Sequence, residues 1–106
     1  MPWYTEGAKS SPSSGTVLAD TGPQTSGYRT IGILCDSSVS GVVILEHRNA
    51  DNDTTLSSQR ISMTINSPFS FNVPYTTLIL ATDERIRVIT SGAILGAVQA
   101  SIFSDS

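Results

Sequence analysis

The chain has 106 residues, of which 39% are hydrophobic and only 14% charged, with a formal net charge of −3. That length makes one domain with a thin core, since a chain of this size buries roughly two-thirds of the surface its unfolded form exposes. The balance excludes a basic nucleic-acid surface, which needs clustered Lys and Arg to displace counterions, and the lone Cys35 excludes an internal disulfide.

The surface must then be built largely from Ser, Thr, Asn and Gln. A domain so poor in charge relies little on electrostatic repulsion to stay apart from other molecules. Val42–Leu45, a run of 4 residues, is as long as any uninterrupted apolar stretch, and a membrane span needs about 20. MPWYTEGAKSS has no basic stretch followed by an apolar run, so no signal peptide is expected and synthesis in a host cytoplasm is.

Residues 1–15 are rich in Gly, Ser, Pro and Thr and read as an extended N-terminal arm without a core of its own. Trp3 and Tyr4 lie near its tip. They either fold back onto the domain or anchor the arm on a partner, as Trp and Tyr do at interface hot spots. Residues 16–106 read as a single β-sandwich domain. TVLAD opens it as a short strand. In YRTIGILCDS, Ile31, Ile33 and Cys35 alternate with Thr30, Gly32 and Leu34, a period of two. VVIL is continuous and β-branched, as in a strand covered on both faces. LSSQRISMTIN and FSFNV alternate again, and TTLILA is short and apolar. ERIRVIT sets Ile86 and Val88 against Arg85 and Arg87, and GAVQASIF sets Val98, Ala100 and Ile102 against their neighbours. Turn residues separate these runs, and no window has a helical period. About eight short antiparallel strands are therefore expected, in an all-β jelly roll or sandwich.

Chemistry has few places to reside. His47 would need a nucleophile or an orienting carboxylate. Glu46 is its sequence neighbour and so points to the other face of a strand. Cys35 shares a face with Ile31 and Ile33, where a thiol behaves as a small hydrophobe; a Cys35–His47 pair would require neighbouring strands. One His and one Cys fill no zinc site without two carboxylates beside them. Asn49, Asp51, Asn52 and Asp53 offer oxygen ligands to calcium, but the loop lacks the Gly and distal Glu of an EF-hand, and Asn/Asp clusters form ordinary turns. Asn52-Asp53-Thr54 also matches a glycosylation acceptor, which carries little weight without a signal sequence. Arg85 and Arg87 form either a solvated strand face or a charged stripe at a subunit contact. No enzyme, cofactor or metal is expected.

EHRNADND and ERIRVITSGAILGAVQASI together resemble small phage proteins of the capsid cement, or decoration, type. Those proteins have a strand ending in an Arg-Asn-Ala turn, a later Glu-Arg-hydrophobic-Arg-Val strand, and a final Gly-x-Val/Ala-x-Ala-x-Ile strand. The likeness runs from Tyr28 to Phe103 and leaves the arm unmatched. It implies a jelly-roll virion protein that assembles as a homo-oligomer, a dimer or trimer. Such a protein binds the major capsid protein on the capsid exterior and reinforces the shell, with no nucleic-acid or membrane partner. Arg48, Asn49, Arg85 and Arg87 match by residue type, and Trp3 and Tyr4 are the arm's own interface candidates. The alternative is a carbohydrate- or receptor-binding module of a phage tail or fibre, with Trp3, Tyr4, Tyr28 and Tyr75 available to stack on sugars.

Overall fold

The computed structural model describes residues 3–5, 7, 9–37, 39–63 and 76–105. Among these there is no helix, and the strands are β1 (Trp3–Thr5), β2 (Lys9–Ser10), β3 (Val17–Asp20), β4 (Gly27–Ser37), β5 (Gly41–Arg48), β6 (Thr55–Met63), β7 (Thr76–Leu80), β8 (Arg85–Thr90) and β9 (Ala97–Asp105). Seven of the eight expected runs are strands; the FSFNV run lies outside the described residues. All pairings are antiparallel. One sheet has the order β1-β9-β4-β7, with β2 also on β9, and the other has the order β3-β8-β5-β6.

The two strands that periodicity did not reveal are β1 and β2, both within the segment read as an arm. Trp3, Tyr4 and Thr5 stand opposite Phe103, Ile102 and Ser101, and Lys9 and Ser10 stand opposite Val98 and Ala97. The register slips by one residue between the two pieces, around Gly7 at φ 84°. Edge pairing draws on backbone N–H and C=O groups, which a polar segment has in full, so a composition too poor for a core still makes an edge strand. The chain then crosses to the other sheet. Ser11 N–H donates to Gly96 C=O at 2.9 Å, and Thr90 Oγ1 donates to Ser13 C=O at 2.7 Å while accepting from Thr16 N–H at 3.0 Å.

Both sheets contribute to one buried cluster. Ile31, Leu80, Val98, Ala100 and Ile102 come from the first, Leu18, Ala19, Val43, Leu45, Ile86 and Val88 from the second, and Ile94 from the loop before β9. Leu18 and Ala19 are consecutive yet both buried, because the β3 register slips between Val17 and Ala19; the extra residue of a bulge lets two neighbours face the same side. VVIL departs from expectation. Val43 and Leu45 are buried, whereas Val42 and Ile44, on the other face, stay half-buried. Arg29 is buried at the start of β4, where it donates to Tyr28 C=O at 3.0 Å and to Thr25 C=O and Oγ1 at 2.7 Å each. A buried guanidinium is tolerated only with such acceptors. A side chain at Gly27 would press on it, since a Cβ there would lie 3.1 Å from the Arg29 Nη1.

Candidate functional site

The outer face of the second sheet collects the charged residues that the sequence singled out. Cross-strand pairs share a face, and Asp20 stands opposite Arg87, Arg87 opposite Glu46, and Arg85 opposite Arg48. Glu46 is the hub. Its Oε1 accepts from Arg87 Nε at 2.5 Å, and its Oε2 accepts from Thr55 Oγ1 at 2.9 Å. Thr55 Oγ1 in turn accepts from Arg48 Nη1 at 2.7 Å. The like charges Arg48 and Arg85 are drawn apart. Arg85 Nη1 donates to Asp20 Oδ2 at 3.3 Å, while Arg48 Nε and Nη2 donate to Asn52 Oδ1 and C=O at 3.0 and 2.7 Å. Arg85 Nε is buried without an acceptor among the described residues.

Glu46 and Asp20 were not singled out by sequence. Alternation placed Arg85 and Arg87 on one face of β8, but nothing local reveals which carboxylates lie across from them.

Asn49 organises the turn after β5. Its Oδ1 accepts from Asp53 N–H at 3.0 Å and Thr54 N–H at 3.2 Å, and its Nδ2 donates to Asp53 Oδ1 at 2.7 Å. Asn52 sits at φ 56°, a left-handed position that Asn tolerates. Hydrogen bonds from Asn49 and then Thr54 hold the exposed Asp53 carboxyl below its ordinary value. The side-chain oxygens of Asn49, Asn52 and Asp53 named above for calcium are thus engaged within the turn, and no group of three His, Cys, Asp or Glu that could hold a metal occurs among the described residues.

His47 has a partner that sequence reasoning missed. It lies on the core-facing side of β5 opposite Ile86, and its Nε2 is 2.9 Å from Glu84 Oε1. An ionised carboxylate only accepts, so Nε2 carries the proton in this bond. The same Glu84 oxygen accepts from Ala81 N–H at 2.8 Å, which closes the β7–β8 turn. Sequence separation, not chemistry, hid the pair: Glu84 comes within reach only because β8 lies beside β5. An orienting carboxylate without a nucleophile moves protons but attacks nothing, and no hydroxyl or thiol is bonded to the ring among the described residues. β4 and β5 belong to different sheets, so Cys35 and His47 are not on the neighbouring strands their pairing would require; the Cys35 side chain itself lies outside the described ones.

The Ala81 N–H and the His47 ring hold the Glu84 carboxyl below its ordinary value of 4.5. A carboxylate with a depressed folded value contributes stability that is full above the ordinary value and lost as pH falls through the folded one. Glu84→Gln is therefore expected to flatten the acid limb of stability below about pH 4.5. Thermal melts of both proteins across that range check it, and superimposable acid limbs would remove Glu84 from the account.

The arm aromatics divide. Tyr4 is packed against the core cluster, on the same face as its partner Ile102. Trp3 is placed opposite Phe103, and its side chain lies outside the described ones, as does Tyr75. Tyr28 is 69% exposed beside Ile79, its cross-strand partner, which is 63% exposed. No helix among the described residues is long and apolar enough to cross a membrane. Comparison with protein-family models, curated proteins and solved structures finds no match to this chain.

Proposed function

We propose that the protein is a structural component of a phage virion, a jelly roll that binds the outer surface of the capsid through the major capsid protein and stabilises the shell as a small homo-oligomer. The jelly-roll reading is supported by the strand orders: with β1 and β2 taken as one edge strand on β9, successive strands alternate between two four-deep sheets except for β5 and β6, which share one, as two Greek keys require. The observation that carries the functional reading is the meeting of the two segments on which the resemblance rests. EHRNADND and ERIRV lie 38 positions apart, counted from Glu46 to Glu84, and are cross-strand neighbours from Glu46↔Arg87 to Arg48↔Arg85. The two segments act as one unit, tied by Glu46, Arg87, Thr55 and Arg48 on a solvent-facing sheet. A face whose polar groups are spent on one another suits assembly better than turnover.

The test is to mix the purified chain with expanded parent capsids that lack it. Co-sedimentation and a raised temperature of shell disruption are expected; the absence of both would sink the proposal. Sugar binding is the second reading, favoured by one observation, the exposed Tyr28 beside Ile79, because an exposed aromatic ring is a stacking platform for sugars. A glycan array that lights up, with loss of signal in Tyr28→Ala, would move the function there.

A further inference from the structure

The outer face of the β3-β8-β5-β6 sheet is built in rows that run across the strands. Val17, Ile89 and Ile44 are consecutive cross-strand partners and all three are half-buried, and the row ends on Arg60 of β6. The next row is Asp20, Arg87, Glu46 and Ser58. An aliphatic strip thus lies directly beside an ionic one. VVIL carries a pattern proper to a strand covered on both faces, yet its outward half, Val42 and Ile44, is only half-buried by this chain.

Charge is gathered on the same face. Four of the chain's six Lys and Arg residues, Arg48, Arg60, Arg85 and Arg87, stand here against two carboxylates, Asp20 and Glu46. Asp51 and Asp53 of the adjoining turn offset the surplus of two at that end of the sheet, which leaves the exposed Arg60 as the positive charge beside the aliphatic row. Arg60 is exposed and donates only to Ser91 Oγ, at 3.2 Å, among the described residues. An apolar centre with arginines at its margin is the make-up of a protein–protein contact. Charge complementarity then decides the partner's sign.

We propose that this face is the docking surface, and that it seats on an acidic patch of the shell protein with a small apolar centre. The proposal rests on the capsid reading above and names the face and the chemistry of its partner. A nucleic acid fits less well: the middle row carries carboxylates that repel phosphates, and no aromatic residue stands among the outward positions of these strands. A second copy meeting the same face through a two-fold axis offers no acidic surplus to match the exposed Arg60.

The full chain and three variants are titrated against parent capsids that lack the protein. Arg60→Glu reverses the exposed charge, and Ser62→Glu places a negative charge at an exposed outward position of β6. Gln99→Glu makes the matched change at an exposed position of β9, on the other sheet. Arg60→Glu is expected to weaken binding about tenfold or more and Ser62→Glu about threefold, with Gln99→Glu unchanged. Should Arg60→Glu melt differently from the parent chain, Ser62→Glu set against Gln99→Glu decides. Wild-type binding with no effect of either β6 variant overturns the docking face and leaves the capsid reading standing. Absence of wild-type binding overturns both. Retention of a DNA duplex, or concentration-dependent self-association, that disappears in Arg60→Glu would also overturn it by assigning the face to another occupant.

Discussion

Removal of residues 1–10 is expected to lower the stability of the domain by about 2–3 kcal/mol, a fall in melting temperature of the order of 10 °C, and to make the protein self-associate. Five of these residues pair with β9, and Tyr4 packs on the core beside Ile102. Losing a half-buried tyrosine costs less than the 3–5 kcal/mol typical of a fully buried large aromatic. The backbone bonds add little net, because ordering a terminal segment consumes much of what they contribute. The larger consequence is the edge. β9 would lose both strands on one of its sides, β1 and β2, and present unpaired N–H and C=O groups along a long strand, a template for pairing with other chains. Thermal melts and sedimentation check both parts, and Tyr4→Ala separates the packing share from the edge. An arm hanging free of the sheet would give an unchanged melt and a monodisperse truncated protein. That outcome would return residues 1–10 to a role outside the fold.

Glu46→Ala should be the most damaging single change on the outer sheet, at about 2–3 kcal/mol. The Glu46 side chain is 11% exposed and that of Arg87 19%, so the pair is screened less than a surface ion pair but is not sealed from water. Breaking a fully buried pair by removing one partner costs about 3–5 kcal/mol, because the other charge is left uncompensated; partial exposure puts this site somewhat lower. Arg87 would lose its only carboxylate partner, and Thr55 its acceptor, among the described residues. Replacing both members, Glu46→Leu with Arg87→Met, should recover most of the loss, since an apolar pair of similar volume carries no desolvation penalty. Urea unfolding of the two single variants and the double closes the cycle. Additive losses would mean that the two side chains do not act together. The double variant also separates stability from docking, because it leaves Arg60 in place.

Much of this was legible in the chain. Alternation gives away β4, β8 and β9 because a strand turns successive side chains to opposite faces whatever it pairs with. The same alternation put Arg85 and Arg87 together. The turn at Asn49 was also readable, since Asn and Asp satisfy their own backbone over a few residues, and Asn49 bonds Asp53 and Thr54. β1 and β2 were not readable, because an edge strand asks nothing of its side chains beyond solubility. Nor was the reach of His47 to Glu84, or of Arg87 to Glu46. Each joins residues about 40 positions apart through the β5–β8 pairing, and no local period encodes which strand comes to lie beside which.

By itself, then, the sequence determined an all-β chain and its main turns, with a single His and a single Cys to place. These follow from backbone geometry and side-chain inventory, which act over a few residues. Only the tertiary structure decided that residues 3–5 and 9–10 of the arm close a sheet edge, that two separate charged segments form one network, and that one half of VVIL stays half-buried in a row that ends on Arg60. Those depend on non-local pairing, where the partner of a charge or an apolar face is supplied by a strand far along the chain.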